Sequence, residues 1–389
     1  MLLTKNSFNL QLQTITQMYE QASVINDDWV DAAGKITLTD PSQIAQKASI
    51  TNAYSMTSQL DNQVIVFVHG WRMTTNAMKD FADTMFKRLY WQGYTGRFVA
   101  FQWPTEWVDT NSIRAMGDDN KNYDQSEYNA WFSATALCNL LEGLDSQYGY
   151  QNVNLLAHSM GNVVASEALR LSTTSAFTTV YGTHPVANAY IASQAAVPAE
   201  AYDRTVPMNL RPQAAAYIST LPYWKQVLLQ NTLHQDFDTT ADVYDNYPGT
   251  GQPLFSAISS AATCWNFYNP DDYGLHTWEI DQLYKPDNGF AETPFRYVDS
   301  KGFYLGNIPL NYDSNRYTIL AFGAQPSSLP LGMEQTGGVF SANVDLSAAP
   351  YAFQDAPSDH SAEFNGTEGQ RQAYWSKVMT AMGLKHWGG

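Results

Sequence analysis

The sequence predicts an α/β fold, a mostly parallel central sheet flanked by helices, and three observations carry that prediction. Several short runs are apolar throughout, Gln63-Val64-Ile65-Val66-Phe67-Val68 being the clearest. A strand buried on both faces needs such a run. Between the runs lie segments with helical periodicity, such as residues 76–92 with Met78, Phe81, Met85 and Leu89. The two kinds alternate, and strand, helix, strand at this spacing makes parallel neighbours with helices on both faces.

Taken in order, residues 8–22 read as a polar helix through Leu10, Leu12, Ile15 and Tyr19, and residues 34–39 as a short alternating strand. The buried strand at 63–68 and the helix at 76–92 follow, then a strand at 98–103 and a long helix at 128–144. A third buried strand spans 153–157, with a helix at 161–171 and a strand at 189–195. Residues 200–262 break the rhythm, being rich in Tyr, Pro and Thr with an apolar helical piece at 222–229. A strand returns at 264–268. Residues 276–337 are again irregular and aromatic, with a strand-like stretch at 317–322, before a last strand at 339–346 and a closing helix at 371–384. There is no internal repeat and no low-complexity linker. The economical organisation is one domain over residues 1–389 carrying two insertions, 200–262 and 276–337.

Composition narrows the function. With 44% apolar and 15% charged residues the chain is no disordered polyelectrolyte. Its 37 acidic against 21 basic residues, a net charge of −16, argue against nucleic acid, which needs clustered Lys and Arg. The same balance disfavours an anionic membrane surface. No apolar run approaches the roughly 18 residues of a spanning helix, so no stable membrane insertion is expected. The start, Met1-Leu2-Leu3-Thr4-Lys5, lacks the apolar core of a signal peptide. Removal of such a signal from a secreted protein would leave a similar start, so the compartment stays open. Cys138 and Cys264 form neither a framework nor a zinc pattern, and their apolar neighbours suit buried thiols. No glycine-rich phosphate loop and no ligand-spaced His/Cys cluster occurs, so no metal or organic cofactor is expected.

The chemistry centres on Asn154-Leu155-Leu156-Ala157-His158-Ser159-Met160-Gly161-Asn162. A serine between a buried strand and a helix sits on a tight turn that lifts its hydroxyl above the sheet, with small flanking residues where the two backbones approach. A serine that merely caps the following helix is the plainer alternative. The segment resembles the nucleophile elbow, Gly-x-Ser-x-Gly, of the α/β-hydrolase superfamily, with Ala157 in place of the first glycine. The resemblance covers residues 60–196, 263–275 and 338–384, lies nearest lipase-like bacterial serine hydrolases, and implies the α/β-hydrolase fold.

It also implies a site. Val68-His69-Gly70-Trp71 matches the His-Gly turn of the superfamily, which would give an oxyanion hole from the amides of Trp71 and Met160. His69 would bond its own loop or line the site, with Arg72 at the entrance and His158 packing or lining. The acid would follow a later strand, in Asn269-Pro270-Asp271-Asp272-Tyr273-Gly274-Leu275. Asp272 matches the Asp-x-x-Leu pattern of related hydrolases, and Asp271 is the alternative. The base must follow the acid in this chain order. His276 is too near the acid and His386 too near the terminus, which leaves His360, 88 residues after Asp272.

The resemblance thus implies a serine esterase or lipase-like enzyme acting through Ser159, His360 and Asp272 on a small-molecule or lipid-like ester. Amide, thioester or peptide cleavage by the same residues stays open, as does a non-catalytic binding domain on a hydrolase scaffold. Segments leaving the carboxyl ends of strands stand over such a site. The insertion at 200–262 is therefore expected to form a cap, with Trp224 and Leu228 lining an acyl pocket or filling a local core.

Overall fold

The computed structural model describes residues 18–38, 41–51, 62–105, 118–197, 199–203, 253–276, 330–354 and 359–385. Eight strands form one sheet: β1 (Tyr19–Ser23), β2 (Ser49–Thr51), β3 (Val64–Val68), β4 (Arg97–Gln102), β5 (Val153–His158), β6 (Ala189–Ser193), β7 (Thr263–Tyr268) and β8 (Phe340–Asp345). Their spatial order is β2-β1-β4-β3-β5-β6-β7-β8. Among the described residues only the β1–β2 pair is antiparallel. The α/β class and the mostly parallel sheet are as the sequence predicts.

Helices cover both faces. They are α1 (Thr75–Trp91), α2 (Asp118–Tyr148), α3 (Gly161–Ser172), α4 (Ser175–Tyr181), α5 (Tyr273–His276), α6 (Ala362–Asn365) and α7 (Glu368–Ala381). Strand β3 shows why an uninterrupted apolar run is needed. Val64, Val66 and Val68 join the core beneath α2 and α3, while Ile65 and Phe67 join the one beneath α1 and α7. Caps fix the helix starts. The Thr74 side chain accepts from the Ala77 amide, and Thr367 with Gln370 forms a reciprocal capping box at α7.

One element differs outright. Of the helix expected at 8–22, residues 1–17 lie outside the described residues, and Tyr19–Ser23 is a strand. Its burial alternates, with Glu20 and Ala22 inward, because it adds in parallel to β4. At 34–39 only a single bridge forms, Val30 with Ile36. The strand-like 317–322, the helical 222–229 and the cap residues Trp224 and Leu228 lie outside the described residues. The described ends of both insertions are core: Leu254, Phe255 and Ile258 are buried, as are Leu331 and Met333. Cys138 and Cys264 are free and buried. Among the described residues, no helix is long and apolar enough to cross a membrane.

Candidate active site

The carboxyl ends of β5, β6 and β7 converge at Ser159. Directly after β5 the chain turns into α3, and Ser159 takes φ = +53°, a left-handed conformation that costs a non-glycine residue energy. Gly161 makes the turn possible. A Cβ there would collide with the backbone carbonyls of Val68 and His69. Ala157 instead sits fully buried within the sheet beside Val68, so its methyl group is accommodated. Main-chain bonds lock the turn, since the Ser159 amide donates to the Ser193 carbonyl and the Ser159 carbonyl accepts from the Ala196 amide.

The hydroxyl meets a histidine from far along the chain. His360, in a short turn before α6, has Nε2 at 3.0 Å from Ser159 Oγ. Its Nδ1 lies 2.8 and 2.9 Å from Asp272 Oδ1 and Oδ2. Ser159, His360 and Asp272 therefore form one hydrogen-bonded line. Asp272 is fully buried, and burial opposes its ionisation. The His360 charge and hydrogen bonds from His360, the Gln194 side chain (2.6 Å) and the Leu275 amide (3.0 Å) outweigh that, holding its pKa below the ordinary value. Asp271 takes no part in this line. It is exposed on the Asn269–Asp272 turn, its amide donating to Asn269 Oδ1.

The loop after β3 abuts the serine. A Cβ on Gly70 would stand 2.9 Å from Ser159 Cβ, so glycine allows this approach. Trp71 follows in that loop, Arg72 takes φ = +66°, and Met160 stands buried at the start of α3. Helix N-terminal amides have no intrahelical partners and attract negative charge.

Two histidines expected to line the site support it from behind. His69 is 2% exposed, with Nδ1 donating to the Gly70 carbonyl and Nε2 accepting from the Trp103 amide, its ring stacked on Trp103. Burial lowers its pKa to about 4 against that hydrogen bond. His158 is 4% exposed, and its Nε2 donates to the main-chain carbonyl of His360. Burial, then the nearby His360 charge, lowers its pKa to about 3. Glu363 Oε1 lies 3.2 Å from the same nitrogen, and burial raises the Glu363 pKa well above the usual range. Burial thus disfavours the charged form of both His158 and Glu363.

Three contributors went unread in the sequence. Gln194, in a left-handed conformation at the end of β6, reaches Asp272. Gly274 leaves room for the His360 ring, and Glu363 packs behind His158. Only Gly274 left a local trace, as the small residue between Asp272 and Leu275. Away from this centre, Glu142, Asp145 and His184 bring three ligand-type atoms within 4.8 Å, with His184 Nε2 at 2.8 Å from Asp145 Oδ2. A histidine held by two carboxylates accounts for them.

Residues 44–192, which hold β3 to β6 and the serine turn, match the family model described as "Alpha/beta hydrolase of unknown function (DUF900)". That stretch is α/β-hydrolase in sequence, and the sheet that carries it has the α/β-hydrolase fold. Among solved structures this hydrolase resembles a gene product of Listeria innocua at 11% identity and a TM-score of 0.32, over 81% of this chain and 93% of that one. It also resembles a candidate esterase from Staphylococcus aureus at 13% identity and a TM-score of 0.25, over 60% and 64% of the two chains. No curated protein matches the sequence.

Proposed function

We propose that this α/β hydrolase is a serine hydrolase of carboxylic esters, with Ser159 as nucleophile, His360 as base and Asp272 as the orienting acid. The observation that carries the reading is the 3.0 Å contact from Ser159 Oγ to a His360 ring whose other nitrogen is held by a buried carboxylate. Ser159 Oγ attacks the ester carbonyl while His360 Nε2 takes its proton. Asp272 supports the imidazolium that results. The amides of Trp71 and Met160 receive the oxyanion, where loss of one donor typically costs about 3 kcal/mol of barrier. His360 returns the proton to the leaving alcohol. Water, deprotonated by the same ring, then hydrolyses the acyl-Ser159 ester.

Labelling with a fluorophosphonate and turnover of a chromogenic ester series, in the wild type and Ser159→Ala, test this. Labelling and turnover that both vanish in folded Ser159→Ala are expected. Wild-type protein that neither labels nor turns over any ester would sink the reading. Rates rising from acetate to hexanoate are expected if the segment at 200–262 supplies an acyl pocket, since each buried CH₂ is worth roughly 0.8 kcal/mol.

A further inference from the structure

Away from Ser159, helices α1 and α7 flank a half-open cavity of about 420 Å³, lined by Arg88, Trp91, Gln92, Glu368, Arg371, Gln372 and Trp375. Small-molecule sites span roughly 300–1,000 Å³. The wall is anomalous for this chain. Acidic residues outnumber basic ones 37 to 21, yet among the described residues neither Arg88 nor Arg371 forms an ion pair. Both guanidinium groups are instead tethered to main chain. Arg88 Nη2 donates to the Phe364 carbonyl at 3.1 Å, and Arg371 Nη1 donates to the Gly366 carbonyl. Those bonds fix the two forks and leave further N–H groups unspent, among them Arg88 Nε, which is buried with no hydrogen-bond partner.

We propose that this cavity binds a small oxyanion of the phosphate class between Arg88 and Arg371. Two rigid guanidinium forks suit an acceptor with oxygens in several directions, for which they form charge-assisted bonds. A carboxylate offers two coplanar oxygens, whereas a tetrahedral oxyanion presents three or four in separate directions. Burial and then the charge of Arg371 both lower the Arg88 pKa, and an anion between them would relieve that repulsion. Trp91, 63% exposed with Arg88 Cζ 5.3 Å from its ring centroid, forms one rim. Glu368, exposed at the start of α7, is the one carboxylate on the wall and works against the ligand.

Calorimetric titration of the full chain with inorganic phosphate, against chloride at matched ionic strength, tests the site. Saturable one-to-one binding is expected, weakened at least tenfold in Arg371→Gln. Glu368→Gln, a surface change that keeps the fold, should tighten it several-fold. No phosphate binding above the chloride control, or an affinity unmoved in Glu368→Gln, would overturn the proposal. Parallel arms with glycerol phosphate and with phosphatidic-acid vesicles distinguish the source of the group. Binding of glycerol phosphate without sedimentation on vesicles marks a soluble ligand. Sedimentation that is lost in Arg371→Gln marks a lipid headgroup.

Discussion

Gly274 and His360 are fitted to each other: a Cβ on Gly274 would lie 2.5 Å from the imidazole Cγ and 2.8 Å from Cδ2. The ring therefore rests against bare backbone just past Asp272. Gly274→Ala should push His360 out of line with Ser159. A misplacement of about 1 Å costs on the order of 100-fold in rate. We expect kcat to fall by that factor while the melting temperature stays near wild type. Retention of full kcat in folded Gly274→Ala would show that the ring has room to spare.

Asp272 and Asp271 are adjacent, and only the first meets His360. Asp272→Asn should lower kcat by about four orders of magnitude with KM little changed, because the carboxylate acts on the imidazolium formed in the transition state. Asp271→Asn, at an exposed turn, should retain wild-type kinetics. Steady-state assays of the two variants decide the matter, and a reversed pattern would move the acid to Asp271.

Ser159 holds φ = +53°. A left-handed conformation costs an ordinary residue roughly 1–2 kcal/mol, whereas glycine elsewhere loses about 0.5–1 kcal/mol relative to alanine through chain entropy. At this one position the two effects oppose each other. Ser159→Gly should therefore be at least as stable as Ser159→Ala in urea unfolding, both being inactive. A glycine variant about 1 kcal/mol weaker would mean the turn is unstrained.

Three buried groups set an acid-side stability profile. His69 and His158 have folded pKa values lowered to about 4 and about 3, so the unfolded chain binds protons there first as pH drops below about 6.5. Their contributions are complete above that pH and are lost as pH falls. Glu363 has a raised pKa, so its contribution is complete below about 4.5 and lost as pH rises. Of these three groups, between about pH 4.5 and 6.5 the native state holds one proton, on Glu363, against two held by the histidines of the unfolded chain. Taken alone, these three groups make stability fall on acidification by about 1.4 kcal/mol per pH unit for the one unbalanced proton, a slope that the raised carboxyls of Glu20, Glu142 and Glu334 reduce. Glu363→Gln removes one opposing group, and the fall in stability from urea unfolding across that window should then steepen by about 1.4 kcal/mol per pH unit. An unchanged slope would show that Glu363 is ionised in the native protein.

The sheet was legible where strands are buried on both faces, as at Val64–Val68 and Val153–His158, because nothing but a central strand asks for such runs. Tyr19–Ser23 was misread because Glu20 and Gln21 suit a polar helix, and their strand state depends on pairing with β4. Ser159 announced itself through its local turn, and His360 through chain order alone. Choosing Asp272 over Asp271 needs the third dimension, since both share one turn and differ in what they face. Gln194 and His158 act on partners 78 and 202 residues away, a relation no local pattern encodes.

The stitching around β6 and β7 bears on how this protein can change. On one side of the first inserted segment lies Ala201, whose carbonyl accepts from the amide of Phe255 on the other side at 2.8 Å. At the second, a Cβ on Gly332 would lie 2.6 Å from Leu275 Cδ1, and the Gly332 carbonyl accepts from the Asn269 amide. Both segments thus leave and rejoin the core at nearly the same point. Closing a loop between fixed ends costs only about 0.6 kcal/mol more for each doubling of its length. Between these paired ends evolution, or an engineer, could therefore change the length of the chain at little cost to the core that holds Ser159, Asp272 and His360.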